Sequence, residues 1–76
     1  PQVLFVGTMD YWPNSQGAIL LCRDIWPSVI ARYPRSRLWI VGRNPPPEVR
    51  DLACDSVTVT GTVPDVAEFY RRADLV

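Results

Sequence analysis

Histidine and lysine are both absent from the sequence. Without histidine, these residues hold no His-based catalytic triad and no mixed Cys/His zinc site. Without lysine, arginine is the only basic side chain, and eight basic residues balance eight acidic ones for a formal net charge of +0. Such a balance sets up no general field for nucleic acid or a lipid surface. No nucleic-acid partner is expected, and membrane association is expected only through parts outside this segment. Cysteine is scarce: Cys22 and Cys54 stand far apart, with no CxxC spacing. Both follow apolar residues in apparent helices, where a thiol behaves as a small hydrophobe. They read as free thiols of a reducing compartment, which points to a cytoplasmic protein, at most peripheral at the inner face of the membrane. Long apolar runs are missing too. The stretch from Ala18 to Cys22 falls far short of the roughly 20 residues that span a bilayer, and no signal-peptide layout opens the chain.

The two common phosphate-binding motifs are also absent. Gly7-Thr8-Met9-Asp10 is not GxGxxG, and GxxxxGK[ST] does not occur. Both gaps count against dinucleotide dehydrogenases and P-loop nucleotidases.

What is present is an alternation of short apolar runs with longer helical segments, the layout of a parallel sheet covered by crossover helices. Val3-Leu4-Phe5-Val6 ends at Gly7, and Leu38-Trp39-Ile40-Val41 ends at Gly42. Continuous runs of this kind suit strands buried on both faces. Val57-Thr58-Val59-Thr60, more polar, ends at Gly61. Between the first two runs, Ile19, Cys22, Ile25/Trp26, Val29/Ile30 and Tyr33 recur at three- and four-residue steps and mark one helix face. Asn14 or Ser15 is expected to cap its start. Pro27 predicts a kink or a second helix there. A short helix is expected from about Pro47 to Ala53, and another from Pro64-Asp65 to about Arg72 with Val66, Phe69, Tyr70 and Ala73 turned inward. Leu75 and Val76 look like the start of a fourth strand.

The expected fold is therefore a Rossmann-like three-layer α/β/α arrangement with a parallel sheet, truncated as a half-domain: β-α-β-α-β-α and the first residues of another strand. Residues 1–76 are expected to form a single partial domain. Right-handed crossovers order the strands 3-2-1, with the fourth crossing to the other side of the first. A first strand left as an open edge predicts marginal stability and a tendency to associate.

Ligands of open parallel sheets bind beyond the carboxyl ends of the strands. Gly7, Gly42 and Gly61 would share that rim, either because a ligand approaches the backbone closely or only because the chain turns sharply. Arg43 is a candidate phosphate partner or a solvated loop residue. Asp10 and Asp65 are candidate acids, bases or ribose-hydroxyl partners, Asp65 equally a helix N-cap. Thr8 and Asn14 suit phosphate or serve the turn and cap. Trp12, Trp26 and Trp39 read as core or interface aromatics.

Four blocks in order, Phe5 to Asn14, Ile25-Trp26-Pro27, Ile40 to Pro45 and Val59 to Val66, resemble the start of the C-terminal domain of retaining GT-B glycosyltransferases of the group 1 type. The resemblance covers essentially the whole chain and lies nearest the bacterial branch that builds polysaccharides and glycoconjugates. It implies a domain that holds a UDP- or GDP-sugar donor against an acceptor bound by an N-terminal domain, with transfer that retains anomeric configuration and needs no metal or other cofactor. It implies that the Gly7 to Asn14 loop approaches the diphosphate, that Arg43 and Asn44 line the nucleotide side, and that the loop from Gly61 through Asp65 receives the base, with Val63 offering backbone contacts. The chain departs from the family at Thr8 and Asn14, near which many members carry an arginine and a lysine. The glycine-rich loop, lysine and glutamate-bearing helix that grip the donor lie downstream, so no catalytic residue is assigned here and the segment alone is expected to be inactive. Two other readings stand beside this one: a GT-B-type sugar-nucleotide epimerase, and a non-catalytic α/β module that binds a nucleotide or a partner.

Overall fold

The computed structural model describes residues 1–76. Strands β1 (Gln2–Val6), β2 (Arg37–Val41) and β3 (Val57–Gly61) form a parallel sheet in the order β1-β2-β3. Val6 pairs with Val41, and Val41 with Gly61 across a register shift, so the three strands end at one rim. Beyond β1 on its outer side, Leu75 makes a parallel bridge with Val3. Its carbonyl accepts from the Leu4 amide at 2.8 Å, and its own amide donates to Gln2 at 3.2 Å. The chain thus returns to the far side of β1 as the crossover rule requires. The expectation of a wholly open β1 edge is corrected: Asp74 and Leu75 cover it from Gln2 to Leu4.

One sheet face carries the core. Met9, Ala18, Trp26, Leu38, Ile40, Val49 and Val57 are buried together, with Val3, Phe5, Cys22 and Val59 packed against them. The covering helix is α1 (Trp12–Leu20), which continues through a widened π turn at Leu21–Ile25 into α2 (Trp26–Arg32). Pro27 explains the widening. It has no amide to give, and in a regular helix its ring would strike the carbonyl four residues back. The π turn opens the spacing so that the Trp26 amide reaches Leu21, five residues back. Trp26 then buries its ring and donates through Nε1 to Ser56 Oγ at 3.0 Å.

Helix α3 (Pro47–Arg50) is shorter than expected and gives way to turns, which leaves Cys54 outside any helix and exposed. Helix α4 (Val66–Arg72) covers the second face, where Phe69 meets Trp39 edge-on with ring centroids 6.0 Å apart. Tyr70, expected to face inward, is half exposed. Trp12 is exposed as well, so of the three tryptophans only Trp26 belongs to the core. No helix is long and apolar enough to cross a membrane.

Candidate functional site: the carboxyl-end rim of the sheet

The rim is built by close approach of three loop backbones. A Cβ on Gly42 would overlap the Gly7 carbonyl, so only glycine fits where the loops after β1 and β2 meet. Gly61 has open space around it but φ +73, a left-handed conformation that L side chains disfavour. The Gly7 amide donates to Val41 at 3.1 Å and the Gly42 amide to Gly61 at 3.4 Å, closing the last rungs of the ladder.

Beyond those rungs lies a cleft of about 270 Å³ lined by Val6, Gly7, Thr8, Val41, Gly42, Arg43, Thr62, Val63 and Val66. Its floor is four valines and its only charged lining residue is Arg43. The amides of Thr8, Arg43, Thr62 and Val63 donate to no protein acceptor. Unpaired donors around an apolar floor with one guanidinium form a setting for an anion carrying a flat or apolar group. No carboxylate lines the cleft, so its lining offers no carboxyl group for proton transfer.

Met9 holds the arrangement in place. Its side chain is fully buried in the core although it belongs to a loop, and its amide donates to the Arg43 carbonyl at 3.0 Å. Asn44, at φ 57, donates from Nδ2 to Asp10 Oδ2 at 3.1 Å. The two loops are thereby cross-linked twice, once through backbone and once through side chains. Asn14 turns back toward the strand end, donating from Nδ2 to the Thr8 carbonyl at 3.0 Å.

The expected cap by Asn14 or Ser15 does not form. Tyr11 is the N-cap of α1 and makes no side-chain cap bond, while Ser15 Oγ donates back to Trp12 at 3.0 Å. Pro13 in the first turn removes one amide that would otherwise need a partner. Asp65, in contrast, is the N-cap of α4, accepting from the Ala67 amide at 3.0 Å.

Among the residues singled out from sequence, Gly7, Thr8, Arg43 and Val63 line the cleft. Gly61 closes the sheet beneath it. Asp10 and Asn44 satisfy each other, Asn14 braces the first loop, and Asp65 starts the helix behind the third. Sequence reasoning missed Met9 as an anchor and Thr62 as a lining residue. The only sign of Met9 was an apolar residue inside an otherwise polar loop.

A search of curated proteins gives no match. The family model described as glycosyl transferases group 1 matches residues 1–76, the whole chain. A parallel α/β sheet with its glycine-ended strands on one rim agrees with that match, and the chain belongs to the group 1 glycosyl transferases.

Proposed function

We propose that the rim cleft receives the nucleoside diphosphate of a sugar-nucleotide donor, a UDP- or GDP-sugar, whose hexosyl group passes to an acceptor held by a preceding domain. The observation that carries this reading is the set of four unpaired amides, at Thr8, Arg43, Thr62 and Val63, around a cleft whose single charge is Arg43. The Thr8 and Arg43 amides and the Arg43 guanidinium meet the diphosphate, and the loop from Gly61 through Asp65, with the Val63 backbone, meets the base. Asp10, Asn14 and Asn44 hold the first two loops in shape rather than touching the donor. Thr8 and Asn14 are neutral, so Arg43 is the one side-chain cation these loops offer to the leaving group. In this reading the protein works on polysaccharide or glycoconjugate precursors at the cytoplasmic side.

Calorimetric titration of the protein carrying this chain with UDP- and GDP-sugars tests it. Binding of one class is expected. Arg43→Ala should weaken it at least tenfold, since a charge-assisted hydrogen bond contributes about 1.5–3 kcal/mol and about 1.4 kcal/mol is a factor of ten. Absence of heat with every donor, or unchanged affinity in the variant, would overturn the assignment.

A further inference from the structure

Away from the rim, the two cysteines converge on one structural joint. Cys22 lies in the π turn, partly buried against the core, one helical turn before Trp26. The Trp26 indole donates to Ser56 Oγ at 3.0 Å, and the same Ser56 oxygen lies 3.6 Å from Cys54 Sγ. The backbone of Cys54 is pinned beside the core by reciprocal bonds with Val57, 2.9 Å from the Cys54 amide to the Val57 carbonyl and 3.3 Å in return. Val57 itself packs in the same cluster as Trp26, against which Cys22 also rests. The segment carrying Cys54, from Asp51 to Ser56, lies outside helix and strand.

The two thiols are also unlike. Hydrogen bonding by Ser56 holds the Cys54 thiol below its ordinary value. Burial pushes the Cys22 thiol up, and the charge of Cys54 adds to that rise. One exposed, more acidic thiol beside one sheltered thiol is the division of labour of an attacking and a resolving cysteine.

We infer that Cys22 and Cys54 form a dithiol that closes to an intramolecular disulfide by exchange with a small disulfide such as oxidised glutathione, tethering the α3–β3 connection to the π turn. In the first step Cys54 thiolate attacks one sulfur of glutathione disulfide, the S–S bond breaks, and one glutathione thiolate leaves. In the second, Cys22, having given its proton to solvent, attacks Cys54 Sγ and expels the second glutathione thiolate. The two cysteines are oxidised, one glutathione disulfide is reduced to two glutathiones, and reduction by excess glutathione reverses the sequence. The exchange needs the two backbone bonds between Cys54 and Val57 to give so that the Asp51–Ser56 segment can swing toward the helix.

The test uses the protein carrying this chain in buffers of increasing glutathione disulfide, quenched by alkylation and mapped by peptide mass. Cys22 and Cys54 are expected to lose alkylation together and to appear in one cross-linked peptide pair, with little glutathione adduct at either. Cys22→Ser should accumulate a glutathione adduct on Cys54, and Cys54→Ser should leave Cys22 largely alkylatable. A wild-type protein that carries a lasting glutathione adduct on Cys54 while Cys22 stays reduced would overturn the pairing. So would a protein in which neither thiol reacts in a large excess of glutathione disulfide. Circular dichroism of both variants guards against a folding artefact, since serine replaces each thiol at nearly equal volume.

Discussion

Truncating Met9 to alanine probes the junction between core and rim. The side chain is fully buried, packed with Ala18, Ile40 and Val49 in the central cluster, although it sits three residues past the end of β1. Met→Ala at such a site costs about 2–5 kcal/mol, the transfer free energy of the lost atoms plus the cavity they leave. A domain of this length has a total stability of roughly 4–11 kcal/mol, so the variant loses a large fraction of it. Urea unfolding followed by the fluorescence of buried Trp26 should show a lower midpoint with an unchanged slope. Met9→Leu keeps the volume and should cost less than about 1.5 kcal/mol. Donor affinity should fall in the alanine variant as well, because the Met9 amide fixes the Arg43 backbone. A Met9→Ala protein within about 0.5 kcal/mol of wild type would show that the loop is not anchored by this side chain, since only surface substitutions are ordinarily that mild.

Gly42→Ala should be more damaging than Gly7→Ala. The first drives a Cβ into a backbone carbonyl, whereas the second meets the movable Asn14 amide at 2.8 Å; amide-proton spectra should show loss of the native fold in the first and local shifts around Asn14 in the second. Asp65→Ala removes the α4 cap and should destabilise by about 1 kcal/mol in urea unfolding. Glu68 has a depressed carboxyl value, chiefly through its hydrogen bond from Arg71 and then the charges of Arg71 and Arg72. Its folded value lies below its unfolded one, so its small contribution is present above the unfolded value and is lost as pH falls through the folded one. Glu68→Gln should therefore slightly flatten the acid limb of a stability profile, and raised salt should shrink the difference between the two proteins.

The apolar runs ending in Gly7, Gly42 and Gly61 were legible because β-branched blocks bounded by glycine have few other structures open to them. So was the return of Leu75 to β1, which follows from the handedness of crossovers rather than from any side chain. Local chemistry was harder to see. Asn14 and Ser15 look like caps by residue type, but Pro13 had already relieved the helix start and left their side chains for the Thr8 and Trp12 carbonyls. Cys54 reads as helical by its neighbours, yet α3 ends at Arg50 and the chain turns to reach β3. The pairing of Asp10 with Asn44 joins residues 34 positions apart, and nothing in either local segment signals it. Met9 was overlooked because its burial depends on Val49 and Ala18, which belong to other elements.

The central claim, that the carboxyl-end rim binds a nucleoside diphosphate through free backbone amides, is tested most directly by titrating the isotopically labelled protein with UDP and GDP and following its amide resonances. The account predicts saturable shifts concentrated at Thr8, Arg43, Thr62 and Val63, with the start of the sheet, near Gln2 and Arg37, unmoved. Shifts centred instead on the arginines at the opposite end, Arg32 and Arg35, or no shifts with either nucleotide, would contradict it.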